Sequence, residues 1–183
     1  MEKTLVLLKP DAVQRGLVGE IINRFEKAGL KLMATKMVWP DQELAHKHYP
    51  TDRREFIEGM GKKTIASYKE EGQNAKTNFG TDDPYKVGLQ LHKWLVDFLV
   101  SGPVIALVLE GEDAIKKVRD IAGHTIPVKA DPGTIRRDYS EDSAIRANAE
   151  KRSIKNLVHA SGDKAEAEFE INLWFNQQEL HSY

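Results

Sequence analysis

Among the six histidines of this 183-residue chain, His159 has neighbours that could do chemistry. It closes the apolar pair Leu157-Val158 and opens a turn of small residues, Ala160-Ser161-Gly162. A ring presented at a strand end with space in front is placed for nucleophilic attack. A lone histidine is more often a surface residue or a satisfied core residue, so its company has to decide. An imidazole attacking a terminal phosphate must be neutral, held in one tautomer and aimed in line, with cationic and N–H donors around the phosphate oxygens. The Pro/Gly segment GHTIPVKADPGTIRR, residues 123–137, offers a hydroxyl at Thr125 and a planar fork at Arg136, and Arg119 on the last turn of the preceding helix reaches the same space. One such arginine alone reads as a solvated face, whereas three donors converging on one loop read as an anion site. Lys9, at the end of the apolar run Leu5 to Leu8, is weaker evidence, because a lysine there often only snorkels.

The elements that must position these residues are legible from periodicity. Thr4 to Leu8 reads as a buried strand ended by Lys9-Pro10-Asp11. Val18 to Ala28 places Val18, Ile21, Ile22 and Phe25 at helical spacing, with Gly29 as its stop. Leu30 to Val38 alternates with period two, and Asp41 caps a short helix, Gln42 to His48. Leu91 to Val100 reads as a helix, Val104 to Leu109 as a strand, Glu112 to Ala122 as a helix, residues 123–137 as an irregular loop, Leu157 to His159 as a short strand, and Lys164 to Glu170 as a final helix. Residues 50–90 are polar and glycine-bearing, with weak helical patterns at Arg53 to Gly59 and Thr64 to Glu71. They read as an insertion into a single domain spanning residues 1–183. A second insertion, residues 138–155, carries a surface helix from Glu141 to Glu150. The order predicts a ferredoxin-like βαββαβ antiparallel sheet of the α+β class, with helices on one face plus helical insertions.

Composition narrows the class. With 27 Lys+Arg against 28 Asp+Glu, no global field draws the chain to nucleic acid or to an anionic membrane, so any polyanion site must be local. Zero cysteines exclude a disulfide framework or thiolate metal site, and no apolar run reaches spanning length. These features predict a soluble cytoplasmic protein with no stable nucleic-acid or membrane partner. His46-x-His48 is the only close histidine pair, and it does not suggest a metal cage.

The ordered segments LLKPDAVQRGLVGEII, SGPVIALVLEG, GTIRRD, NLVHAS and EINLWF resemble the successive signatures of the nucleoside-diphosphate kinases across nearly the whole chain. The resemblance implies a ping-pong kinase in which a nucleoside triphosphate phosphorylates His159 at its pros nitrogen and a nucleoside diphosphate takes the group away. By match to the family motifs, Lys9 holds ribose hydroxyls and a phosphate oxygen, and Asn156 bonds the sugar 3′ hydroxyl. Arg119, Thr125 and Arg136 grip the β and γ phosphates, with His48 as a further phosphate contact. Tyr49 stands beside the histidine, and Ser161 and Glu170 orient it. The resemblance also implies Mg²⁺ carried mainly by nucleotide phosphates and a homo-oligomer, hexamer or tetramer.

The chain departs from the family pattern in four ways, one of them the second insertion, between Arg136 and Asn156. The stretch between Tyr49 and Ser101 is longer, which puts the family's base-stacking phenylalanine near Leu91 or His92. Arg137 replaces a usual glycine, and the turn after His159 reads Ala-Ser-Gly-Asp. Two rival readings are a catalytically silent relative serving as a scaffold and an RNA-binding module of the same element order. The latter stacks bases on aromatics of its central strands, and Leu5 to Leu8 and Val104 to Leu109 contain none.

Overall fold

The computed structural model describes residues 1–183. Strands β1 (Glu2–Leu8), β2 (Lys31–Val38), β3 (Val104–Gly111) and β4 (Val158–Ala160) form one antiparallel sheet in the order β2-β3-β1-β4. Helices α1 (Pro10–Gln14) and α2 (Val18–Lys27) lead from β1 to β2. Helices α3 (Gln42–His48), α4 (Arg54–Glu70), α5 (Lys76–Phe79) and α6 (Pro84–Leu99) join β2 to β3. Helices α7 (Ala114–Ala122), α8 (Ile135–Tyr139) and α9 (Ala144–Ala149) precede β4, and α10 (Lys164–Trp174) follows it. This is the ferredoxin-like order.

The two central strands are apolar on both faces because both faces are covered. Val6, Leu8, Ile105, Leu107 and Leu109 pack with Ile21 and Phe25 of α2 and Val118 of α7, the expected helical face. Leu5, Leu7, Val104, Ala106 and Val108 pack with Ala45 of α3, Val96 and Leu99 of α6, and Ile171 and Trp174 of α10. Trp174 and the following Phe175 are thereby buried in the core.

The first insertion is more regular than its sequence suggests. In place of two weak helical patterns, α4 runs unbroken through Gly59 and Gly61, and α6 begins seven residues before Leu91, at Pro84, with the Asp83 side chain accepting the Lys86 N–H. Glycine here permits contact instead of ending a helix. A Cβ at Gly61 would lie 1.8 Å from the Pro84 carbonyl oxygen, and one at Gly88 would lie 2.0 Å from that of Ile57. The α4–α6 pair is therefore a close backbone crossing. Tyr68, Ala75, Phe79 and Val87 form a small core of their own, onto which pack Leu91, Trp94 and, from α9, Ile145. The two insertions meet there.

The segment 123–137 is irregular only to Thr134. It contains a 3-10 turn, Pro127–Lys129, and α8 then starts at Ile135. Arg24 of α2 anchors α8 by donating to Asp138 at 2.8 Å and to the Tyr139 hydroxyl at 2.8 Å. No helix is long and apolar enough to cross a membrane.

Candidate active site

His159 lies on β4, an edge strand, opposite Leu7 of β1, while its neighbour Val158 lies opposite Leu8. Strand alternation therefore sends Val158 toward the α2/α7 face and His159 toward the α3/α10 face. There the His159 Nε2–H donates to Glu170 Oε1 of α10 at 2.7 Å. Glu170 Oε2 accepts the Ser161 hydroxyl at 2.6 Å, and Ser161 is pinned to the Leu5 backbone. With Nε2 carrying the proton, Nδ1 holds a free lone pair and makes no hydrogen bond within the protein. Burial, then the Lys9, Arg136 and Arg119 charges, hold the imidazole down to about 3 against the opposing pull of Glu166. The ring is neutral at ordinary pH. Burial raises the Glu170 carboxyl, opposed by His48 and the Ser161 hydrogen bond.

The approach to β4 is a strained γ-turn. Leu157 has φ +70°, and the Val158 N–H donates to the Asn156 carbonyl at 2.7 Å. A bulky residue seldom adopts this conformation. Asn156, buried just before it, accepts the Lys9 ammonium on Oδ1 at 2.8 Å and donates Nδ2–H to the Thr125 carbonyl at 2.8 Å. Lys9, only 5% exposed, is lowered to about 8 by burial and by Arg136, with Asp11 acting in the opposite direction. Arg136 donates to the carbonyls of Gly123 (2.7 Å), Val158 (2.7 Å) and Asn156 (3.3 Å), so three of its donors hold the loop and two remain for a ligand. Burial and the nearby Arg119 lower Arg136 to about 10. Arg119 and Thr125 are exposed at the rim. The structure thus gathers Lys9, Arg119, Thr125, Arg136, Asn156 and His159, drawn from four separate stretches of chain.

Behind the histidine, the buried His48 ring meets His159 edge-on at 4.5 Å, and its Nδ1 accepts the Trp174 indole N–H at 3.3 Å. Burial and His159 lower His48 to about 3. Tyr49 lies edge-on to His159 at 6.3 Å, and burial with Glu170 raises its phenol above the ordinary range. One ring nitrogen each of His48 and His159 and a Glu170 oxygen lie within 4.8 Å of one another, a spacing metal ligands also show. Here His159 Nε2 and Glu170 bond to each other and His48 Nδ1 is taken by Trp174, while His48 Nε2 is buried without a partner.

Two residues named from sequence are occupied elsewhere. His92 is buried with Nε2 at 2.7 Å from the Tyr49 carbonyl, and Leu91 packs on the small insertion core. His92 is thereby enclosed, and Leu91 is half-buried. Phe56, which the sequence reading passed over, is 40% exposed in the first turn of α4, seven residues beyond Tyr49. Its signal was an aromatic in a charged stretch, Arg53-Arg54-Glu55-Phe56.

A family model described as nucleoside diphosphate kinase matches residues 2–69 and 84–180. The chain is 49% identical over 180 residues to a nucleoside diphosphate kinase of Pyrobaculum aerophilum, covering 98% of each protein. Among solved structures, an NDP kinase from Pyrobaculum aerophilum matches with a TM-score of 0.94 at 48% identity, covering 99% of both chains. A transition-state mimic of nucleoside-diphosphate kinase from Borrelia burgdorferi with bound vanadate and ADP matches with a TM-score of 0.78 at 36% identity, covering 100% of this chain and 91% of that one. This chain belongs to the nucleoside diphosphate kinase family and is an enzyme of that kind.

Proposed function

We propose that His159 Nδ1 carries the phosphoryl group between nucleotides in two half-reactions at one site. The observation that supports this is the 2.7 Å contact of His159 Nε2 with the Glu170 carboxylate: the carboxylate accepts, so the proton belongs on Nε2 and a neutral Nδ1 lone pair is left beside Lys9, Arg119 and Arg136. The lone pair attacks the γ-phosphorus of a nucleoside triphosphate, and the bond to the β–γ bridging oxygen breaks, leaving the diphosphate with that electron pair. No proton moves, so no general base is needed. The phosphorylated ring gains positive charge, which the Glu170 carboxylate stabilises through Nε2–H. A β-phosphate oxygen of a second diphosphate then attacks the phosphorus, and the N–P electrons return to Nδ1. The relative holding vanadate and ADP is consistent with a phosphoryl pocket of this kind.

Lys9, Arg119, Arg136 and Thr125 bind phosphate oxygens, and Asn156 and Lys9 take the sugar hydroxyls. Tyr49, Ser161 and Glu170 orient the ring. His48, with its side chain wholly buried, acts by packing against His159 and not by touching phosphate. Mg²⁺ fits this site as a nucleotide-borne ion, because the nearby carboxylates are engaged: Glu170 by His159 and Ser161, Glu166 by the Gly162 N–H. When bound it neutralises phosphate charge. The base lies on Phe56 in place of Leu91 or His92. The enzyme works as a homo-oligomer, hexamer or tetramer.

Incubation with γ-labelled ATP should leave an acid-labile, base-stable label that a nucleoside diphosphate discharges. A label persisting in His159→Gln would sink the mechanism. Base–aromatic stacking contributes about 1–3 kcal/mol, so Phe56→Ala should raise nucleotide KM by about tenfold with kcat little changed. The assignment fails if Leu91→Ala raises KM and Phe56→Ala does not.

A further inference from the structure

Asp11 is buried beside Lys9 in the first turn of α1, and nothing in the phosphate chemistry above uses it. Its Oδ2 accepts the Leu157 N–H at 3.1 Å, across 146 residues of sequence, and its Oδ1 is buried without a partner. A left-handed backbone at a bulky residue is strained and persists only when its surroundings over-determine it. The hydrogen bonds around Leu157 show what does so. Its carbonyl accepts the Lys9 N–H at 2.8 Å. The Asn156 carbonyl accepts both the Val158 N–H and the Arg136 Nε–H. The Leu157 N–H itself has one acceptor, Asp11.

Leu157 is fully buried, so losing that acceptor would strand a donor at the least comfortable residue of the site. One residue before it is Asn156, and two after it is His159. We infer that Asp11 is a positioning residue for phosphoryl transfer: by holding the Leu157 N–H it fixes the γ-turn that aims Asn156 and His159 at the nucleotide. The inference rests on His159 as the phosphate carrier. It also gives the LLKPD segment two functions, Lys9 meeting the nucleotide and Asp11 holding the strand that brings the histidine.

The carboxylate has a second consequence. Lys9 is faced by Asp11 on α1, Arg136 on α8, Asn156 before β4, His159 on β4 and His48 on α3. Of these charges, Arg136 pushes the ammonium toward deprotonation and Asp11 opposes it. Removing only the charge of Asp11 should therefore let Lys9 lose its proton at a pH below about 8.

Two variants separate the hydrogen bond from the charge. Asp11→Ala removes the acceptor, and Asp11→Asn keeps an acceptor oxygen while removing the charge. Single-turnover labelling by γ-labelled ATP, the pH dependence of nucleotide KM, and the melting temperature are measured for both. A misplacement of about 1 Å can cost about a hundredfold in rate. Asp11→Ala should lose about that much in the labelling step at saturating ATP, with KM changed far less. Asp11→Asn should label within a few-fold of wild type, and its alkaline rise in KM should begin at lower pH. A folded Asp11→Ala that labels at the wild-type rate overturns the inference. So does an Asp11→Asn that loses the rate as fully as Asp11→Ala with no displaced alkaline limb. If Asp11→Ala does not fold, Asp11→Asn decides by the same two readouts. Label retained in His159→Gln would instead strike the carrier assignment and is read separately.

Discussion

At the scale of the residue, the proton inventory around His159 decides the chemistry. One nitrogen donates to Glu170, the other is bare, and burial among cations holds the ring neutral. The same cations would hold phosphate, so one field both keeps the nucleophile unprotonated and binds its target. A pH prediction follows. His159 is held at about 3 and Lys9 at about 8, so kcat/KM should show no inflection at the free-histidine value of 6.5. It should fall as pH rises through about 8, where the ammonium loses the charge that binds nucleotide. A rate profile with a clear acid limb centred at 6.5 would contradict a permanently neutral ring. The sequence contained His159, Asn156 and Arg136 as a set. It did not contain the division of Arg136 between three carbonyls and a ligand, because those carbonyls belong to residues 123, 156 and 158 and meet only in the folded loop.

The secondary-structure elements show where local pattern sufficed and where it failed. Helix α3 came directly from the Asp41 cap, and the structure places the Asp41 carboxylate at 2.8 Å from the Leu44 N–H. The α4–α6 pair was obscured because glycine has two meanings. In an isolated helix it is a weak point, whereas at a crossing it is a requirement. The distinction is testable with two substitutions two residues apart on α4. A Cβ at Gly59 meets nothing within 4 Å, so Gly59→Ala should stabilise by about 0.4–1 kcal/mol. Gly61→Ala drives a Cβ into the Pro84 carbonyl and should destabilise by about 1–3 kcal/mol. Melting temperatures moving in the same direction for both would show that the crossing is not as tight as described. Leu91 and His92 were candidate base contacts because the longer stretch puts the family's stacking position near them, whereas in the folded α6 His92 is buried against the Tyr49 carbonyl and Leu91 packs on the small insertion core.

At the scale of the molecule, the sheet has an unpaired edge. Strand β2 is bordered only by β3, and the C-terminal residues cover part of it, with the His181 N–H donating to the Met33 carbonyl at 2.9 Å and the Tyr183 hydroxyl to the Leu32 carbonyl at 3.3 Å. Beyond that cover Met37 is 63% exposed and Trp39 68%. An open edge flanked by exposed apolar side chains is a natural pairing surface, and it is the proposed contact in assembly. Met37→Glu should therefore yield a smaller species in sedimentation velocity, and an unchanged sedimentation coefficient would remove β2 from the interface.

By itself the sequence determined the order of strands and helices, the fold class, and the set of side chains able to handle a phosphate, because each depends on residue type and short-range periodicity. The tertiary structure alone decided which nitrogen of His159 is free, that Leu157 turns left-handed, and that Asp11 holds it there. The first is set by the hydrogen bond from His159 to Glu170 on the next helix and the others by one between residues 146 apart in the chain, and no local propensity carries them. The left-handed turn at Leu157 in particular runs against its own residue's preference and exists because Asp11, Lys9 and Arg136 converge on the backbone around it.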